Sequence, residues 1–317
     1  MTGLPVDNFA DKLIAAIRRT GNPCVVGLDP RLELIPDFIV DQYRDLAAPE
    51  AVRNILSHFH RLIIDQVAGL VPAVKPQIAF FEQYGLGGLQ AFSDTIGYAR
   101  SRGLVVIGDA KRNDIGSTAE AYAKAFLGGT DFRGRKLAAF EVDCVTVSPF
   151  LGKDSLEPFV NACRDHGKGM FILVKTSNPG SGDLQDQRLL DGGVRLYEHL
   201  ARIVDELGGA VVGNTGYSSV GAVVGATYPQ EAQAIRALMP RAIILVPGYG
   251  AQGGTGHSAA LAFNPDSLGA VVSASRSITF PHKLNDIGRE PFEQLVRERL
   301  NAMIADVSAA LVARFKP

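Results

Sequence analysis

One stretch of the chain decides both its fold and its chemistry: Leu104-Val-Val-Ile-Gly-Asp-Ala-Lys-Arg-Asn-Asp-Ile-Gly-Ser-Thr-Ala119. Its first half is an apolar, β-branched run that predicts a buried strand, and a helix is predicted to begin near Ser117. Because strand side chains alternate between faces, we expect Asp109 and Lys111 to point the same way, with Asp114 three residues on in the turn. Charges at the end of a buried strand are costly without a partner or a task. They indicate either a structural ion pair or a functional site.

The composition is that of an ordinary globular protein. The chain has 317 residues, of which 46% are hydrophobic, and its formal net charge is −1. Without a basic field to attract nucleic acid or an anionic membrane, we predict neither as a partner. No apolar run approaches the length of a membrane span, and the first residues lack the features of a signal peptide. Three cysteines without a C-x-x-C pair suit a reducing compartment, so we expect a cytoplasmic protein.

Eight short apolar runs, most of them separated by helical patterns, organise the chain. They predict strands at residues 24–29, 71–75, 104–109, 143–147, 170–174, 221–225, 242–246 and 269–273. Residues 210–213 are a second candidate for the sixth strand, but we favour 221–225 because Pro229 and a helical run follow it directly. This alternation predicts an α/β fold, a closed (β/α)₈ TIM barrel. A doubly wound open sheet is the alternative, but no G-x-G-x-x-G motif follows the first strand.

Helical periodicity bounds the rest of the predicted architecture. Asp7 can cap a first helix that ends at Gly21, and further helices are predicted at residues 52–67 and 86–102. The last helix, at residues 291–315, is unusually long. We therefore predict a single barrel domain over residues 1–317, with an N-terminal helix and an extended C-terminal helix.

Three successive predicted strands end in charged residues. Asp29 ends the first, Lys75 the second, and Asp109 with Lys111 the third. Taken alone, Asp29 could be a turn residue before Pro30, and Lys75 a solvated lysine. In a barrel of this kind, however, the carboxyl ends of all strands converge on the face where active sites are built. The alternation of charge over three neighbouring strands therefore favours one shared site.

The loops after the last two predicted strands suggest an anion site. Pro247-Gly-Tyr-Gly-Ala-Gln-Gly-Gly-Thr-Gly256 is rich in glycine, so backbone N–H groups such as those of Gly248 and Gly253 can approach a ligand closely. Arg276 follows the eighth strand. A flexible surface turn is the alternative for the loop alone. Together with an arginine at the neighbouring strand end, the loop predicts a phosphate site.

Other polar residues give weaker signals. The six histidines show no metal-ligand spacing, and we predict no metal site. His257 is the exception, because it adjoins the glycine-rich loop. Whether His257 or Tyr249 contacts a ligand stays open. Lys175 ends the fifth predicted strand, where a surface role and a site role are equally compatible with the pattern.

At this point the residues resemble a known family. Asp109-Ala-Lys-Arg-Asn-Asp114-Ile is similar to the D-x-K-x-x-D-I signature of the orotidine 5′-phosphate decarboxylases, and the arginine after the lysine resembles the longer bacterial subgroup. The similarity extends in order through Gly27-Leu-Asp29, Val74-Lys75-Pro, Thr176-Ser177-Asn-Pro-Gly180, Val224-Gly-Ala-Thr, the glycine-rich loop and Arg276-Ser-Ile. It therefore covers most of the chain.

The resemblance implies a (β/α)₈ barrel that acts as a homodimer with shared active sites. The implied reaction converts orotidine 5′-phosphate, a nucleotide, to uridine 5′-phosphate and carbon dioxide in pyrimidine biosynthesis, without a cofactor. By this resemblance, Lys111 is the proton donor and is flanked by Asp109 and Lys75, while Asp114 and Thr118 reach in from the partner subunit. Asp29 and Lys75 would bind the ribose, and Ser177 would bind the pyrimidine. Gln252 and Arg276 would bind the phosphate.

The chain departs from the compact members of the family in two ways. It carries extra residues at about 31–48, 128–143 and 209–220, and it has Ser275 where they have glycine before the phosphate arginine. The serine leaves open which N–H groups would bind phosphate.

Two rival functions stay open. One is an Mg²⁺-dependent sugar-phosphate decarboxylase or aldolase of the same barrel superfamily, such as a keto-gulonate phosphate decarboxylase or a hexulose-phosphate synthase. Metal-independent activity would exclude it. The other is a non-catalytic nucleotide-binding barrel, which the Lys-Asp-Lys-Asp set disfavours because binding alone gains little from charges placed against a carboxylate.

Overall fold

Eight parallel strands close into a barrel. In the computed structural model, which describes residues 8–190, 192–283 and 285–315, each strand pairs with its neighbours in chain order and the last pairs with the first. The strands are β1 (Cys24–Leu28), β2 (Ala73–Pro76), β3 (Val105–Arg112), β4 (Cys144–Val147), β5 (Gly169–Lys175), β6 (Ser218–Val224), β7 (Ala242–Val246) and β8 (Ala270–Ala274). The predicted fold class is confirmed. The favoured candidate for the sixth strand is also confirmed, since the rival segment overlaps a 3₁₀ turn at Gly209–Val211.

Helices surround the barrel, and the main ones lie close to their predicted positions. They are Phe9–Thr20, Ala48–Val67, Gly85–Ser101, Gly116–Ala123, Glu157–His166, Leu196–Gly208, Pro229–Leu238 and Arg289–Phe315. Shorter helices are Asp37–Val40, Ala79–Glu82, Gly182–Gln185, Gly256–Ala260 and Arg276–Thr279, with 3₁₀ turns at Leu32–Leu34, Asp41–Tyr43 and Pro179–Ser181 and a π turn at Lys124–Gly128. No helix in the described parts of the chain is long and apolar enough to cross a membrane.

The N-terminal helix closes the amino end of the barrel. Asn8 caps it by accepting a hydrogen bond from the Asp11 N–H, and Gly21 ends it in the left-handed conformation. The predicted cap, Asp7, lies outside the described residues. The helix contributes Phe9, Leu13, Ile14 and Ile17 to the apolar cluster that fills the barrel, where the Phe9 ring meets the Phe171 ring edge-on at 6.0 Å. This end is therefore sealed, and any ligand has to enter at the carboxyl ends of the strands.

The three extra segments take different positions. Residues 31–48 form short turns tied to the segment after β8, since His282 Nε2 lies 2.9 Å from the Leu34 carbonyl oxygen. Residues 128–143 contain an exposed antiparallel hairpin, Thr130–Phe132 with Arg135–Leu137. Residues 209–220 pack on the N-terminal helix, where the Asp11 carboxylate accepts from the N–H groups of Asn214 and Thr215. The first of these segments reaches the carboxyl ends of the strands, where Arg31 lines a cavity.

Candidate active site

The charged ends of β2 and β3 meet, and Asp109 contacts a lysine with each of its two carboxylate oxygens. Lys75 Nζ lies 2.7 Å from Asp109 Oδ2, and Lys111 Nζ lies 2.6 Å from Asp109 Oδ1. The side chains of Lys75 and Asp109 are 8% and 10% exposed, whereas that of Lys111 is 45% exposed. One buried carboxylate thus holds a buried ammonium on one side and a solvent-accessible ammonium on the other. The accessible one is free to meet a substrate.

The backbone leaves regular strand geometry where the charges lie. The β3–β4 register shifts between Gly108 and Arg112, and Lys111 has a φ of 49°, in the left-handed region. Thr146 on β4 stabilises this bulge: its Oγ1 accepts from the N–H groups of Ala110 and Lys111, both at 3.0 Å, and donates to Asp109 Oδ1 at 2.9 Å. Thr146 therefore fixes the direction of both the carboxylate and the lysine backbone.

Sequence reasoning did not single out Thr146, although a signal was present. Side chains of β4 alternate, so Thr146 shares the inward face with Cys144, which lies in the apolar cluster inside the barrel. A polar residue on the inward face at the carboxyl end of a barrel strand is a site candidate.

The protonation of this group follows from a competition between burial and charge. Burial by itself raises the pKa of Asp109, but Lys75 and Lys111 oppose it and hold that pKa well below its usual range. Burial likewise disfavours the charged form of Lys75, and the Asp109 and Asp29 carboxylates outweigh it, so the pKa of Lys75 is raised. At neutral pH the Asp109–Lys75 pair is therefore fully ionised.

Asp29 faces the same opening. It lines a cavity of about 720 Å³ at the carboxyl ends of the strands, together with Lys75, Asp109 and Lys111. Its Oδ1 is buried and has no hydrogen-bond partner among the described residues. Buried acceptors are nearly always satisfied, so this oxygen points to a ligand that donates a hydrogen bond.

Most of the predicted phosphate and pyrimidine residues line the same cavity. Gly248, Gln252, Arg276 and Ser177 all line it. Gly248 has a φ of 96°, and a Cβ there would lie 2.8 Å from Gln252 Oε1, so only glycine lets the glutamine approach.

The two predicted phosphate loops differ in the hydrogen-bond donors that they offer to the cavity. Gly253 is not among the cavity-lining residues, and its N–H donates to the Gly250 carbonyl at 2.9 Å. Ser275 does line the cavity, and its Oγ is buried without a partner among the described residues. The space for Ser275 exists because residue 27 is glycine: a Cβ on Gly27 would lie 2.8 Å from the Ser275 Cβ.

Besides Gly253, two further predicted site residues do not line the cavity of their own chain. Asp114 is half-buried in the turn after β3, where its Oδ1 accepts from the Ile115 N–H, and Thr118 is exposed on the following helix. Neither lines the cavity. His257 is exposed on the short helix Gly256–Ala260 and does not line it either, whereas Tyr249 does.

The described residues contain no group of three or more His, Cys, Asp or Glu side chains placed to hold a metal ion.

The family model described as "Orotidine 5'-phosphate decarboxylase / HUMPS family" matches residues 49–281. The chain belongs to this family. The family resemblance predicted from the motifs is thereby confirmed.

Proteins named orotidine 5′-phosphate decarboxylase are similar over most of the chain. The one from Rhodopirellula baltica is 49% identical over 275 residues, covering 87% of this chain and 89% of its own. The one from Caldicellulosiruptor saccharolyticus is 40% identical over 305 residues, covering 94% and 99%. The solved structure of Leishmania donovani OMP decarboxylase superposes with a TM-score of 0.67 at 29% identity, covering 96% of this chain and 98% of that one.

Proposed function

We propose that this protein is a carboxy-lyase that converts orotidine 5′-phosphate to uridine 5′-phosphate and carbon dioxide, the decarboxylation step of pyrimidine biosynthesis. The observation that carries the proposal is the Lys75–Asp109–Lys111 arrangement at the mouth of a cavity that also contains Arg276. Relatives that are 40–49% identical and bear the name of this enzyme support it.

The reaction needs what these residues supply. Loss of carbon dioxide from C6 of the pyrimidine leaves an electron pair in an in-plane orbital that the ring π-system does not delocalise well. A fixed ammonium beside C6 stabilises that charge electrostatically, and the same ammonium can then donate the proton that completes the product. Lys111 fits both roles, because Asp109 orients its accessible ammonium and Thr146 holds the backbone that carries it.

Asp109 is also placed to act on the substrate carboxylate. A buried, ionised carboxylate next to the departing group raises the energy of the bound substrate relative to the transition state, in which that group leaves as neutral carbon dioxide. The two lysines keep Asp109 ionised, and so keep this effect in force across the neutral pH range.

The other cavity residues bind the two ends of the nucleotide. Asp29 and Lys75 hold the ribose hydroxyls, which would satisfy the unpaired Asp29 Oδ1. Ser177 binds the pyrimidine edge. The phosphate is held by Arg276, Gln252 and loop N–H groups, among them those predicted at Gly248 and Gly253; Gly253 can take part only if its N–H leaves the Gly250 carbonyl on binding.

We further propose a homodimer in which Asp114 and Thr118 complete the partner's site. Two large apolar side chains near them are unusually exposed: Ile115 at 61% and Phe150 at 76%. The two loops that carry them are tied together, because Asn113 Nδ2 donates to the Ser148 carbonyl. An apolar patch beside two site residues that miss their own cavity supports an interface at this place. The three free, buried thiols support the proposed cytoplasmic location.

The proposed reaction is tested by adding orotidine 5′-phosphate to the enzyme and following the ultraviolet absorbance of the substrate, with and without a chelator. We expect the absorbance to fall at the same rate in both samples and the product to be uridine 5′-phosphate. An enzyme that is inactive on this nucleotide, or that loses activity when Mg²⁺ is removed, would favour the sugar-phosphate branch of the family instead. Tight nucleotide binding without turnover would favour the non-catalytic alternative.

A further inference from the structure

A second buried lysine lies next to Ser177, the residue proposed to contact the pyrimidine. Lys175 ends β5, its side chain is 0% exposed, and its Nζ donates to Asp186 Oδ1 at 2.7 Å. The same Nζ lies 4.4 Å from the centroid of the Tyr228 ring. A surface role, which the sequence left open, is therefore wrong. A fully buried ammonium is costly to desolvate, so its retention calls for a reason beyond packing.

Lys175 forms part of the neck of one loop. The Ser177 loop, defined here as residues 176–187, leaves β5 and returns beside it. Its neck is closed by two adjacent pairs: Lys175 with Asp186, and Thr176 with Gln185. In the second pair Gln185 Oε1 accepts from the Thr176 N–H, and Gln185 Nε2 donates to Thr176 Oγ1, both at 2.9 Å. The two ends of the loop are thus held together by side chains.

The neck fixes residues that line the cavity. Ser177 follows it directly, and Ser177, Asn178 and Gln185 all face the cavity. Behind them, Tyr228 lies over the Lys175 ammonium and its hydroxyl lies 3.1 Å from Ser181 Oγ of the same loop. The lysine therefore connects the barrel wall, the loop neck and the aromatic ring that supports the loop.

A close approach to β6 leaves Ser177 little freedom. A Cβ on Gly225 would lie 2.8 Å from the Ser177 Cβ and 2.9 Å from its backbone nitrogen, and the Gly225 N–H donates to the Lys175 carbonyl at 2.8 Å. Ser177 is therefore placed by backbone contacts on one side and by the loop neck on the other. A shift of the neck would move its hydroxyl relative to the cavity.

We propose that Lys175, through its ion pair with Asp186, is a positioning residue that sets Ser177 for recognition of the pyrimidine edge. The inference rests on the proposed function, in which Ser177 contacts the base. Lys175 itself does not line the cavity, so it acts through the loop. A buried ion pair is weak evidence for a stabilising role, so we assign the contribution of Lys175 to the geometry of the loop.

The test compares two ligands in the full-length protein. Uridine 5′-phosphate carries the base, whereas ribose 5-phosphate has the same sugar and phosphate without it. We expect Lys175→Met to raise the Kd of uridine 5′-phosphate about tenfold, the effect of one misplaced hydrogen bond, and to leave the Kd of ribose 5-phosphate within about twofold of wild type. Asp186→Asn, at the partly exposed end of the pair, should act in the same direction and keeps the test open if Lys175→Met folds poorly.

A double-mutant cycle shows whether Lys175 affects binding through Ser177. In a Ser177→Ala background, Lys175→Met should weaken uridine 5′-phosphate binding by less than about twofold, because the contact that it positions is already gone. Lys168→Met is the matched control: Lys168 is half-buried just before β5 at the opposite end of the barrel, and donates to the Val142 carbonyl. It should leave both Kd values unchanged.

Several outcomes would overturn the inference. They are unchanged uridine 5′-phosphate affinity in folded Lys175→Met and Asp186→Asn, an equal loss for both ligands, and full additivity with Ser177→Ala. The absorbance assay for orotidine 5′-phosphate distinguishes a failure of this inference from a failure of the proposed function. A wild-type chain that turns the substrate over while Lys175→Met binds both ligands normally refutes only the role of Lys175. A base-specific loss in a chain without turnover refutes only the reaction.

Discussion

Lys111 reaches Asp109 from a backbone conformation that a regular strand does not contain: its Nζ lies 2.6 Å from Asp109 Oδ1 while its φ is 49°. For a residue with a Cβ, the left-handed region costs on the order of 1 kcal/mol. The two N–H bonds to Thr146 Oγ1 hold this conformation in place. The protein thus keeps a strained backbone at the residue proposed to donate the proton.

The strain can be measured by comparing two substitutions at this position. We expect Lys111→Gly to be more stable than Lys111→Ala by about 1 kcal/mol, because both lose the amine but only glycine adopts a positive φ freely. Urea unfolding of the two variants measures the difference. Ala110→Gly is the control: Ala110 has no positive φ, so glycine there should destabilise the protein by about 0.5–1 kcal/mol. Equal stabilities for the two Lys111 variants would refute the strain.

Lys111→Ala should separate binding from chemistry. We expect it to lower kcat for orotidine 5′-phosphate by about a thousandfold or more, since it removes both the electrostatic stabilisation and the proton donor. Uridine 5′-phosphate should still bind, because the ribose and phosphate contacts remain. Steady-state kinetics and calorimetry measure the two effects. Near-normal turnover by this variant would remove the proposed role of Lys111.

The parts of the structure that follow from hydrophobic pattern could be predicted from the sequence. The barrel follows from β-branched runs that a parallel sheet buries on both faces, and the meeting of Asp29, Lys75 and Asp109 follows from the parallel direction of the strands. Alternation also predicted that Asp109 and Lys111 lie together. The contact is confirmed, but the geometry differs, because the bulge and the positive φ at Lys111 interrupt the alternation.

What could not be predicted depends on contacts between residues that are distant in sequence. The support from Thr146 comes from a neighbouring strand 37 residues after Asp109. The burial of Lys175 depends on the Tyr228 ring and on the return of the chain at Asp186. A single sequence contains the residue types but not the distances between them. The same limit applies to Asp114, whose proposed place in a site depends on a second chain.

The glycine-rich loop is attached to the C-terminal helix at one residue. Asp306 Oδ2 accepts from the Tyr249 hydroxyl and from the Gly256 N–H, both at 2.8 Å. Burial and this carboxylate raise the pKa of Tyr249, so its hydroxyl remains a donor at neutral pH. We expect Asp306→Ala to raise KM for orotidine 5′-phosphate about tenfold with a smaller change in kcat, because the glycine-rich loop, which is proposed to bind the phosphate, loses both anchors. Tyr249→Phe removes one anchor and should have a smaller effect; unchanged KM in both variants would contradict this role.

Acid should destabilise the protein through His60. This side chain is fully buried between the Phe59 and Phe81 rings, and burial lowers its pKa to about 3. The unfolded chain, with a histidine pKa near 6.5, binds the proton more readily, so stability is lost as the pH falls below about 6.5. Between pH 7 and pH 5 we expect a loss of about 2 kcal/mol from this group, measured by urea unfolding. In His60→Leu that part of the pH dependence should disappear; an unchanged slope would show that other groups cause it.

Complementation between two inactive variants tests whether the sites are shared. Asp114 does not line the cavity formed by its own chain, whereas Lys111 does. If Asp114 acts in the partner's site, a mixed dimer of Asp114→Ala and Lys111→Ala contains one site with both defects and one site with neither. We expect each variant to be inactive alone. After subunit exchange, when half of the dimers are mixed, a quarter of all sites are intact, so the mixture should show about a quarter of the activity of the same amount of wild-type protein.

The control mixes Lys111→Ala with Asp109→Asn, which are two defects in the same cavity. This mixture should recover no activity, because every site keeps a defect. Mixed dimers that form but stay inactive would mean that Asp114 serves its own chain.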